Sequence, residues 1–183
     1  MTVFITSSPF VEGADRAILS NANGFVDRLR AALPEYGRLL FVASDPEQHD
    51  LTCRFAADLI SACAGAGIYF SSFQVLDWAT ADCARELVDN SDLLVLAGGH
   101  VPTQNAFFRE IELRQILEKY SGTVMGISAG SMNLADTVYV QPELDGESAP
   151  DFPRFAPGLG LTAVNILPHY QQVRRYMLDG KRL

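Results

Sequence analysis

Apolar and polar positions follow two rhythms along this chain, and the rhythm switches at nearly regular intervals. Val3-Phe4-Ile5-Thr6 opens it with a short strand-like run. Between Asn23 and Leu33 the residues Phe25, Val26, Leu29 and Leu33 fall at helical spacing, and Pro34 followed by Gly37 stops that helix. Arg38-Leu39-Leu40-Phe41-Val42-Ala43 is almost continuously apolar, as a strand covered on both faces should be. A helix over 50–66, an extended run over 68–76 and a helix over 81–88 follow. Then come the strand Asp92-Leu93-Leu94-Val95-Leu96, a helix over 103–120 and a strand over 123–127. This alternation predicts an α/β fold, a mostly parallel doubly wound sheet flanked by helices. The stretch 141–157 turns to Pro, Gly, Asp and Glu without periodicity and predicts a surface loop, a candidate lid. Leu161 to Leu167 predicts one more strand, closing in Pro168-His169-Tyr170.

Composition narrows the class. A chain of 183 residues suits a single domain, here 1–183, with a sizeable core. No apolar run approaches bilayer length, and the start lacks a basic leader pattern, so a cytoplasmic protein is expected, without a membrane partner. The net charge of -8 argues against nucleic acid, whose phosphates need a basic face. Cys53, Cys63 and Cys83 are odd in number and lack metal-type spacing, which predicts free thiols, buried or half-buried in helices, in a reducing compartment. No P-loop, metal-spaced His/Glu pair or Cys cluster appears, so the residues signal neither a cofactor nor a metal. A homodimer is left open.

The chemistry concentrates at Gly126-Ile127-Ser128-Ala129-Gly130, a G-x-S-x-G string that follows a strand and precedes a helix-compatible stretch. A serine on so tight a turn projects its hydroxyl beyond the sheet edge, and small neighbours permit the turn. In a doubly wound sheet, ligand sites gather at the carboxyl ends of strands, where Ala97-Gly98-Gly99-His100 would also lie. A serine hydroxyl needs a base, and the chain has three histidines. His49 falls in a polar stretch ahead of a helix and reads as solvated. His100 borders the expected site and is a candidate for substrate contact. His169, at a strand end on the rim where Ser128 is expected, is the best base. The backbone amides of Gly99 and Ala129 are the natural donors to an oxyanion. Gly158-Leu159-Gly160-Leu161-Thr162-Ala163 fits a dinucleotide string on paper, but precedes a strand instead of opening a helix after one.

Taken together, Gly126-Ile127-Ser128-Ala129-Gly130-Ser131, the strand ending in Gly98-Gly99, the opening Phe4-Ile5-Thr6-Ser7-Ser8 and Pro168-His169-Tyr170 resemble the S51 serine peptidases, the dipeptidase E (aspartyl dipeptidase) group. The resemblance runs over nearly the whole chain. It implies a fold akin to class I glutamine amidotransferases, with serine in the position where those enzymes usually carry cysteine. It also implies Ser128 as nucleophile, His169 as general base, Gly99 and Ala129 as oxyanion donors, and cleavage of short peptides, typically with an N-terminal aspartate. Glu143 falls where a family carboxylate implicated in activity would lie. For an aspartyl side chain, Arg174 and Arg175 are the expected cations. Two departures stand out: the family's Gly-Gly-Gly-Asn is replaced by Ala97-Gly98-Gly99-His100, and the family's glutamate beyond the histidine has no counterpart before Leu183, so the chain reads as short at its C-terminus. A serine hydrolase on another amide or ester, and a catalytically silent binding domain on the same scaffold, remain the alternatives.

Overall fold

A computed structural model describes residues 1–182; Leu183 lies outside the described residues. Strands β1 (Thr2–Thr6), β2 (Tyr36–Val42), β3 (Tyr69–Leu76), β4 (Leu93–Leu96) and β5 (Thr123–Ile127) form one sheet in the order β1-β5-β4-β2-β3, every pair parallel. The connections carry α1 (Phe25–Ala32), α2 (His49–Gly65), α3 (Ala84–Asp89), α4 (Val101–Glu110) and α5 (Leu113–Leu117). Because successive strand residues point to opposite faces, the unbroken apolar runs feed two cores. Leu39, Phe41, Leu93, Val95 and Met125 pack against Val26 and Leu29 of α1 and Ala56, Leu59 and Cys63 of α2. On the other face Leu40, Val42, Leu94, Leu96 and Val124 meet Val88, Phe107, Leu113 and Leu117 from α3, α4 and α5. All four residues of β4 are fully buried, and each such leucine contributes about 1.5–3 kcal/mol. The α/β fold expected from the pattern is the one observed.

Four sequence readings need correction. The helix expected over 103–120 is two helices, α4 and α5, broken where Glu112 turns left-handed at φ 52°. That break lets Phe107 and Phe108 before it, and Ile116 and Leu117 after it, reach the same core. The strand expected over 161–167 does not form: Thr162 makes one isolated bridge to Ala135, and the rest bends without a pairing strand, leaving Val164 exposed. The stretch 141–157 is only partly a surface loop. Gln141 and Ser148 are buried, and its end, β7 (Phe155–Pro157), pairs antiparallel with β6 (Thr137–Tyr139). Lastly, Cys83 is exposed, whereas Cys63 is buried and Cys53 half-buried. Among the described residues no helix is long and apolar enough to cross a membrane.

The chain ends in a one-turn helix α7 (Tyr170–Val173) and a hairpin of β8 (Met177–Leu178) with β9 (Lys181–Arg182).

Candidate active site

Ser128 and Gly99, just past the carboxyl ends of β5 and β4, line the site, and the end of β1 braces them from beside. From β5 the chain passes through Ser128, at φ 50° and ψ -111°, directly into the short helix α6 (Ala129–Asn133). That backbone conformation costs about 1–3 kcal/mol in an L-residue. Its surroundings hold it there. The Ser128 N–H donates to Thr6 O at 2.9 Å, and Gly130 N–H donates to Ala97 O at 3.1 Å. Buried Ser131 donates through Oγ to Thr6 O at 2.8 Å and accepts from Thr6 N–H at 2.9 Å, while Thr6 Oγ1 donates to Gly126 O at 2.7 Å.

The flanking glycines are demanded by space. A Cβ on Gly126 would stand 2.6 Å from Ser131 Cα, and one on Gly130 would run into the carbonyl of Leu96. Gly98 packs so closely that a Cβ there would lie 3.3 Å from Ser128 Cβ. The end of β4 and the turn at Ser128 therefore form one packed unit. Behind it lies an amide network that the sequence did not disclose. Fully buried Gln104 and Asn133 are joined at 3.1 Å, Asn105 donates to Asn133 Oδ1 at 3.0 Å, and Gln104 Nε2 donates to Ala97 O at 2.8 Å. This network ties α4 to α6 and fixes both edges of the turn.

Ser128 opens into a cavity of about 420 Å3, whose wall also includes Gly99, Ala129, Glu143 and His169. Ala129 is the first residue of α6, so its amide has no acceptor within the helix. At Gly99 a Cβ would collide with Ser44 Oγ, so only glycine lets the main chain run this close. His169 is exposed and left-handed at φ 52°, capping α7, and its own N–H donates to Ser7 Oγ at 3.2 Å. It is thus seated by a turn and by β1's trailing serine, not by the strand end that the sequence suggested. Among the described residues no hydrogen bond joins the Ser128 hydroxyl to His169.

Two carboxylates near the cavity behave oppositely. Burial pushes the half-buried Glu143 carboxyl up, with Glu147 acting in the same direction and His100 and His169 opposing. Burial also works to raise Glu147, but the amides of Glu143 and Leu144 donate to its Oε2 at 2.8 and 3.0 Å, and His100 adds positive charge, so its pKa ends below the usual value. His100 is engaged rather than free: its ring lies 2.8 Å from Thr103 Oγ1 and 2.9 Å from Glu147 Oε1. Sequence reasoning missed Glu147, since nothing in a polar loop marks one glutamate from the next. It also passed over Asp179, which accepts from Ser148 Oγ at 2.7 Å and from Gly146 N–H at 3.1 Å, tying the C-terminal hairpin to the same loop.

Arg174 and Arg175 are exposed at the end of α7 and are not on the cavity wall, which takes Gln172, Val173 and Tyr176 from this segment. The G-x-G string has a packing reason: a Cβ on Gly158 would collide with the carbonyl of Ala135. Among the described residues no group of three or more His, Cys, Asp and Glu side chains is placed to hold a metal ion.

No protein-family profile matches the chain, and no curated protein matches it in sequence. Its fold is shared with the 1.5 Å crystal structure of a candidate peptidase E protein from Listeria monocytogenes EGD-e, at a TM-score of 0.59 and 15% identity, over 87% of this chain and 74% of that one. The chain therefore has a peptidase E-like fold.

Proposed function

We propose that this protein is a serine hydrolase that cleaves short peptides. The observation that carries the reading is the placement of Ser128, on a strained turn at the carboxyl edge of a parallel sheet, in one cavity with His169 and the amides of Gly99 and Ala129. His169 takes the Ser128 proton as the hydroxyl attacks the scissile carbonyl. The two amides receive the negative oxygen, each contributing about 2.7–4 kcal/mol to the transition state. The protonated imidazole then donates to the leaving amine, and water releases the acyl group by the same route in reverse. Glu143 lines the same cavity as His169, and its carboxylate steadies the imidazolium through their charges. Catalytic hydrogen bonds are often open in unliganded sites and close on substrate, which accounts for the unmade contact between Ser128 and His169.

An N-terminal aspartate is the substrate feature we favour, with Arg174 or Arg175 turning in to meet its carboxylate; the fold of the Listeria protein agrees with a peptidase in general. A panel of Asp-X, Glu-X and neutral dipeptides tests this directly. Hydrolysis of Asp-X in preference to the others, abolished in Ser128→Ala, is the expected result. Equal hydrolysis by Ser128→Ala would overturn the assignment. The exposure of His169 and its lack of a bond to Ser128 favour a second reading, a silent binding domain on this scaffold, for which no dipeptide or ester would turn over.

A further inference from the structure

Helix α2 carries a nucleophile-bearing cluster outside the cavity just described. His49 opens the helix, Cys53 stands one turn later, and Asp77 follows the end of β3. The imidazole Nδ1 is bonded to Asp77 Oδ2, and Nε2 lies 3.4 Å from Cys53 Sγ. The Asp77 side chain is 1% exposed, and its other oxygen accepts from Ala79 N–H at 2.9 Å, so the carboxylate is fixed in place. Thiol, imidazole and buried carboxylate thus stand in the order in which an acid orients a base and the base activates a nucleophile.

The three thiols of the chain differ in the features that govern reactivity. Cys63 is buried, and its thiol is pushed up to about 12 by burial. Cys83 is exposed, and among the described residues no imidazole is bonded to it. Cys53 is half-buried beside an imidazole whose side chain is 56% exposed. The hydrogen bond to Asp77 also holds the His49 imidazole above the ordinary histidine range.

We propose that Cys53 is a site of covalent thiol modification by small disulfides, with His49 as its base and Asp77 as the residue that orients the base. The Cys53 proton passes to His49 Nε2 as Sγ attacks one sulfur of the disulfide. The S–S bond of the reagent breaks, a mixed disulfide forms on Cys53, and the released thiolate takes the proton back from His49. One disulfide is consumed and one is formed, so no further oxidant enters.

The test is reaction of the full chain with excess 5,5'-dithiobis(2-nitrobenzoate), each cysteine followed by peptide mapping. An ordinary thiol is only a few per cent thiolate near neutral pH, and a more readily ionised one is intrinsically a weaker nucleophile, so full activation amounts to about tenfold. Cys53 is expected to react about tenfold faster than the more exposed Cys83. His49→Ala is expected to remove that advantage. His49→Gln, which retains a donor for Asp77 but no base, should do the same with an unchanged melting temperature. A Cys53 rate no greater than that of Cys83, or an undiminished rate in His49→Gln, would overturn the proposal.

Discussion

The candidate site has two halves built on different physics. The half that carries Ser128, Gly99 and Ala129 sits at the edge of the parallel sheet beside its fully buried strand β4, with its turn fixed by main-chain hydrogen bonds, the Ser131–Thr6 exchange and an internal amide network. The other half, carrying His169 and Glu143, comes from the segment after β6, where α7 is a single turn and Tyr170, Tyr176 and Met177 are exposed. Polar contacts from Ser7, Glu147 and Asp179 hold it. The difference teaches that a strained nucleophile geometry needs a rigid, close-packed support, while the partner side chains can ride on a segment of lower local stability.

The largest effect should separate the halves by chemistry. His169→Ala is expected to lower turnover by about three to four orders of magnitude while leaving thermal unfolding nearly unchanged, because the side chain is exposed. Wild-type turnover in that variant would remove His169 from the mechanism. The converse perturbation strikes the rigid half. Gly130→Ala places a methyl against the Leu96 carbonyl and should destabilise by about 3 kcal/mol or more, read as a fall in the urea midpoint. A neutral outcome would show that the turn is not close-packed.

A smaller effect comes from the paired carboxylates, whose pH dependences have opposite sign. Glu143 has a raised pKa, so its contribution is present below the unfolded value and lost as pH rises through the folded one. Glu147 has a lowered pKa, so its contribution is present above the unfolded value and lost as pH falls through the folded one. Glu143→Gln should therefore stabilise the protein at neutral pH relative to acid, and Glu147→Gln should cost about 1–2 kcal/mol at neutral pH by weakening its charge-assisted bonds. Melting temperatures across a pH series check both, and parallel curves for the two variants would refute the assignment. The smallest expected change is at Ser128 itself: Ser128→Gly should be about 1 kcal/mol more stable than Ser128→Ala, because glycine adopts the positive φ without strain.

The same division explains what the sequence could disclose. Strand runs such as Leu93 to Leu96 announce themselves because burial on both faces leaves no polar position, and G-x-S-x-G after a strand gives the rigid half almost whole. Legibility fails where position depends on distant partners. Leu161 to Leu167 has the composition of a strand but finds no neighbour to pair with, so His169 arrives on a turn. Gln104, Asn105 and Asn133 look like ordinary polar residues until folding brings them together. His49 and Cys53 are visibly one helical turn apart, yet Asp77, which fixes the imidazole, lies a full strand away in sequence.

Labelling with a fluorophosphonate, mapped by mass spectrometry, tests the central claim most directly, because it reads activation of a serine without requiring the right peptide. Covalent phosphonylation at Ser128, stoichiometric in the wild type and absent in Ser128→Ala, is what a base-activated nucleophile predicts. An unlabelled Ser128 in folded protein, or equal labelling at other serines, would contradict it.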